Sequence, residues 1–222
     1  MKIQELKIQT SNPTNQLEFY GGVLGLPILT QNQTGFAVKI GYSVLKFHKT
    51  SSFQPYHIAF HIGAHQEKEA IKWLQKRVSI LKNEGENIVD FPAWNAKSIY
   101  FYDEDSNIIE FISRRHLFPS KSIFSEKSMV GIAEIGLSTN TVEKFFRFLN
   151  TNFELEIYFG KPDIFCVIGD DDGLLITVDQ NHKTWFPTND LALPADFSLK
   201  FKHERKQFGL NYEKNELSVM KC

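Results

Sequence analysis

Two kinds of side chain able to bind a cation or move a proton stand inside apolar strand sequence. Glu110 lies between Ile109 and Phe111, where the neighbours favour burial. A carboxylate there is costly unless it is paired or binds a cation, or unless strand alternation turns it to water. The segment YHIAFHI carries His57 and His61. Four residues apart on a strand, the two share a face, so either one can face a cavity or pack as a core residue. Other groupings are poorer. Asp170-Asp171-Asp172-Gly173 lacks the spaced ligands and closing glutamate of a calcium loop and reads as a turn. His116, His182 and His203 have no partners at ligand spacing, and no phosphate-binding glycine loop or nucleophile elbow is present.

Positioning these groups falls to a repeated pattern. Ile3 to Thr10 alternates as a strand, Gln16 to Leu24 has helical spacing, Leu26 to Thr30 is a strand, and Gly35 to Ile40 with Ser43 to Phe47 makes a hairpin. The order returns in Tyr56 to Ile62, an amphipathic helix over Gln66 to Leu81, a short strand at Ile88 to Phe91, and a hairpin over Ser98 to Phe111. Asp103-Glu104-Asp105-Ser106-Asn107 supplies the turn of that hairpin. His116 to Ser128 is polar and reads as a linker. A third unit opens near Val130, because Glu134 to Thr139 echoes Glu5 to Thr10. The pairs Phe19 and Phe148, Leu26 and Leu155, Ile28 and Ile157 keep the same offset, which marks a duplicated module. Phe165 to Gly169 and Leu174 to Asp179 form its hairpin, and Phe197 to Phe201 and Leu217 to Met220 belong to a truncated fourth unit.

Composition narrows the function classes. With 222 residues, 42% hydrophobic and 23% charged, the chain reads as one or two globular domains with an aromatic core rich in its 20 Phe. A formal net charge of -1 argues against a nucleic-acid binder. Cys166 and Cys222 make neither a disulfide framework nor a zinc knuckle. With no secretion signal and no membrane-length apolar run, a cytoplasmic location is expected.

Three strand–helix–three-strand units, with FYGGVLGLPI in the first and YFYDEDSNIIEF in the second, resemble the vicinal oxygen chelate superfamily of glyoxalase I, extradiol dioxygenases and bleomycin or fosfomycin resistance proteins. Glu104 replaces the proline and Ser106 the glycine of the family's hairpin pattern. The resemblance implies an α+β fold of βαβββ modules in a curved mixed sheet. It implies a complete domain from paired modules over 1–115, followed by a third module and degenerate fourth over 129–222. It also implies a divalent metal (Fe, Mn or Zn) held by Glu5, His57 and Glu110. Glu5 stands where the family usually has His, and Lys46 stands where glyoxalase I has a second glutamate. Lys46 is then expected near the metal, neutralising an anionic substrate or moving a proton. Ile176 stands where module two has Glu110, so the second half is expected to bind no metal.

The implied activity is a metal-dependent lyase, isomerase or dioxygenase acting on a small molecule chelated through its oxygens. The alternative is a metal-free protein that sequesters an aromatic molecule in an apolar groove. A truncated fourth module would leave a sheet edge open, and a homodimer with swapped strands would cover it.

Overall fold

The computed structural model describes residues 1–120 and 123–221, so the terminal Cys222 and residues 121 and 122 of the linker lie outside the described residues. The first module runs β1 (Lys2–Thr10), α1 (Pro13–Leu17), β2 (Ile28–Asn32), β3 (Gly35–Ile40) and β4 (Ser43–Lys49). The second runs β5 (His57–Ile62), α2 (Glu67–Leu74), β6 (Ile80–Leu81), β7 (Val89–Phe91), β8 (Ala96–Tyr102) and β9 (Ile108–Arg114). The third runs β10 (Met129–Thr139), α3 (Val142–Phe153), β11 (Ile157–Lys161), β12 (Phe165–Asp170) and β13 (Gly173–Asp179). A small ribbon, β14 (Thr184–Trp185) with β15 (Asp190–Leu191), follows, and then β16 (Phe197–His203), β17 (Lys206–Glu213) and β18 (Glu216–Met220). The α+β architecture of repeated βαβββ modules in curved mixed sheets is thus present.

The pairing of modules differs from the expectation. In one sheet β1 lies between β16 and β4, so the first module joins the fourth. In the other, β5 pairs antiparallel with β10, so the second joins the third. The first two modules therefore do not share a sheet. The fourth unit supplies β16 against β1 from within the same chain, which removes the open-edge reason for a swapped dimer. Its middle strand, β17, was hidden in the sequence because Lys206 and Gln207 and the glycine at 209 interrupt the apolar alternation.

Two helices also end differently. The helix expected over Gln16 to Leu24 starts at Pro13 and widens over Glu18–Val23 into a π-helical turn, with the Leu24 N–H donating to the Phe19 carbonyl. The helix expected over Gln66 to Leu81 stops at Leu74, and Ile80–Leu81 is drawn into the sheet as β6 against β8. Ile80 is β-branched and gains more as a sheet residue.

One continuous core of aliphatic and aromatic side chains joins both sheets to the helices. On its side of the second sheet α3 buries Phe145, Leu149 and Phe153. β5, β9 and β10 of that sheet also carry the polar residues considered next.

Candidate metal and substrate site

Three strands bring the polar groups together. Ala59 of β5 is paired on one side with Glu110 of β9 and on the other with Glu134 of β10. Both carboxylates therefore flank one small side chain, and His57, two residues earlier on β5, faces the same way. A β-bulge interrupts β10 between Ile132 and Glu134, and a matching bulge interrupts β1 between Ile3 and Glu5. Bulges re-aim the side chain that follows them, and their repetition is a further trace of module duplication.

His57, Glu110 and Glu134 line one cavity of about 400 Å³, whose other walls include Tyr100, Trp94, Trp185, Phe91 and Phe186. All three polar residues are buried. His57 Nε2 lies 3.1 Å from Glu110 Oε2, and the Ser98 hydroxyl donates to Glu110 Oε1 at 2.5 Å. Arg114 Nη2 donates to Glu134 Oε1 at 2.8 Å. Arg114 is fully buried against the rings of Trp94 and Tyr158. Among the described residues, His57 Nδ1 and Arg114 Nε and Nη1 have no hydrogen-bond partner.

Charge is out of balance here. Two buried carboxylates meet one guanidinium. Burial and the Glu110 charge push Glu134 up to about 8, against the pull of Arg114. Burial, with Glu110 and Glu134 nearby, drives the Tyr100 phenol well above its ordinary range, so Tyr100 stays neutral. A proton or a cation would relieve the excess negative charge.

The donor set fits a divalent ion. One imidazole and two carboxylates suit Fe(II), Mn(II) or Zn(II). The 3.1 Å between His57 and Glu110 is that of a hydrogen bond, and equally that of two adjacent ligands each about 2.1 Å from an ion. Among the described residues no three His, Cys, Asp or Glu side chains form a group able to hold a metal as they stand. Glu134 Oε1 is turned to Arg114. Its side chain would have to bring its other oxygen toward His57.

The expected ligands are therefore redistributed. His57 and Glu110 do meet. Glu5 does not join them: it sits in the other sheet, bonded to Lys46 at 2.6 Å with Lys200 at 3.8 Å. Lys46, expected beside the metal, occupies that half-exposed pair instead. The physical cause is the pairing of modules, which places β10 rather than β1 beside β5. Glu134, from the half expected to bind no metal, lines the cavity with His57 and Glu110. The offset that maps Glu5 onto Glu134 was visible, but the partner of β5 was not. His61 is separated from the site, fully buried, with its Nε2 donating to the Asp172 carbonyl at 3.3 Å and its ring against Phe118.

No protein-family model matches the chain. A metallothiol transferase FosB from Staphylococcus haemolyticus strain JCSC1435 is 28% identical over 116 residues, covering 49% of this chain and 80% of the relative. The structure of a presumed dioxygenase from Bacillus subtilis strain 168 superposes with a TM-score of 0.59 at 16% identity, over 80% of this chain and 63% of that one. This chain thus spans about three fifths of that protein. A lactoylglutathione lyase from Agrobacterium tumefaciens aligns over 51% of this chain and 93% of its own, at a TM-score of 0.44 and 16% identity. The repeated βαβββ modules, their curved sheets and the likeness to the Bacillus protein identify the fold of this chain as that of the vicinal oxygen chelate superfamily.

Proposed function

We propose that the chain is a divalent-metal-dependent enzyme acting on a small molecule in the cavity between its second and third modules. The observation that carries this reading is that His57, Glu110 and Glu134 line one cavity whose other walls are mainly aromatic and aliphatic. Those three side chains would hold the ion, which when bound polarises the oxygens of a substrate. Ser98 orients Glu110, and Arg114 fixes one oxygen of Glu134 so that the other is free. Tyr100 and Trp185 keep bulk water from the floor. The name of the FosB relative, a metallothiol transferase, supports a metal. A buried free thiol at Cys166 supports a reducing, cytoplasmic setting. Among the described residues no helix is long and apolar enough to cross a membrane.

The direct test is isothermal titration of EDTA-treated protein with Mn(II), Fe(II) and Zn(II). The expected result is about one ion per chain, lost in His57→Ala. The second reading is a metal-free binding protein, and the Arg114–Glu134 pair favours it, because the guanidinium already supplies positive charge at the site. Absence of binding by all three ions would establish that reading over the first.

A further inference from the structure

The sheet of modules one and four has a hollow of its own, of about 230 Å³. Register explains its shape. Thr30, Ala37, Lys46 and Lys7 stand side by side across β2, β3, β4 and β1, and Asn32, Gly35 and His48 form the next row. Ala37 and Gly35 have little or no side chain, so the floor is low between taller neighbours. All of these residues line the hollow, and among the described residues no Asp or Glu does. Lys7 and Lys46 are register partners on adjacent strands, about 4.8 Å apart. Like charges so placed repel. Glu5 offsets part of this, bonding Lys46 at 2.6 Å and reaching Lys200 at 3.8 Å. Lys7 is exposed and, among the described residues, makes no ion pair. The module offset that joins Glu5 to Glu134 joins Lys7 to Gly136, on which the Trp185 ring rests in the second sheet. In the first sheet the same position is open to solvent and carries a cation.

We propose that this hollow binds a phosphate-type oxyanion, free or carried by a small molecule. Two ammonium groups from neighbouring strands meet one doubly charged tetrahedral group, and Thr30, Asn32 and His48 add hydrogen bonds from the rim. Lysine binds phosphate as a point charge, and a dianion between the two lysines relieves their repulsion. A monovalent carboxylate cancels only one of the two charges. The next hollow, also walled by Lys7, contains Asp196 and Glu213, so an anion is confined to the side of β3. The site lies on the other sheet from His57, and binding there needs no metal.

The test uses the full ¹⁵N-labelled chain, freed of metal with EDTA. Inorganic phosphate is titrated at about pH 8, where it is mainly a dianion, while the backbone amide resonances are followed. Saturable shifts at Lys7, Ala37 and Lys46 are expected. Lys7→Gln, which breaks no ion pair, is expected to weaken binding at least about fivefold. Lys161→Gln removes the same charge from exposed β11 in the other sheet and is expected to change binding less than about twofold. Glucose 6-phosphate separates the two sources. Tighter binding of the ester assigns an organic phosphate, and equal or tighter binding of the bare ion assigns the free anion. Shifts that reach no plateau overturn the proposal. So do shifts that chloride reproduces at matched ionic strength, or that Lys7→Gln and Lys161→Gln weaken equally.

Discussion

At the scale of single residues, the functional weight falls on a carboxylate held between a cation and a like charge. Arg114 and Glu134 are both buried, and removing one leaves the other uncompensated. Arg114→Met is expected to destabilise the fold by about 3–5 kcal/mol, measured by urea unfolding, and the double variant with Glu134→Gln is expected to recover much of that loss. Glu134→Gln should weaken metal binding at least about tenfold, whereas Glu5→Gln should leave it unchanged. Equal effects of the two substitutions would return Glu5 to the site. His61 reports on pH instead. Burial, aided by the Arg114 charge, holds its pKa down at about 3, against an ordinary 6.5. The unfolded chain therefore binds a proton that the folded chain refuses between those values. This contribution to stability is fully present above pH 6.5 and is lost as pH falls from there toward 3. In His61→Gln, urea-unfolding stability should fall less steeply over that interval than in the wild type.

At the scale of elements, local signals in the sequence carried far. Alternation and turn chemistry located the hairpin of β8 and β9, and Asp103 caps its turn by accepting from the Asp105 and Asn107 N–H groups. His57 and Glu110 were legible because a polar residue inside an apolar strand needs a reason. Glu134 was legible only as the echo of Glu5. Which strand lies beside β5 depends on contacts between residues far apart in the chain, and no local pattern encodes them. The same limit applied to His57 and His61, which share a face. Their separation comes from neighbours, Glu110 for one and Asp172 for the other. The site also depends on an element with little pattern of its own, the Trp185 ribbon resting on Gly136. Gly136→Ala should displace that ring at a cost of about 1–3 kcal/mol, visible as a lower unfolding midpoint and a shifted tryptophan emission. An unchanged emission would mean that Trp185 does not depend on this seat.

At the scale of the whole molecule, four modules of one duplicated design have been divided between two tasks. The sheet of modules one and four bonds Glu5 to Lys46 and Lys200, so lysines occupy the ground on which the other sheet gathers acids. The sheet of modules two and three keeps the imidazole, both carboxylates and the ring-lined cavity. This division makes fragment 1–115 a poor domain, since it strips β1 of β16 and β5 of β10. Expressed alone, it should aggregate or give dispersionless NMR spectra. A well-folded monomeric 1–115 would contradict the pairing seen here. The central claim is that one cation site lies among His57, Glu110 and Glu134. An anomalous-difference map from crystals grown with Mn(II) tests it most directly. A peak within ligand distance of those three side chains, with the second oxygen of Glu134 brought toward His57, is the predicted result; a peak at Glu5, or none at either place, would contradict the account.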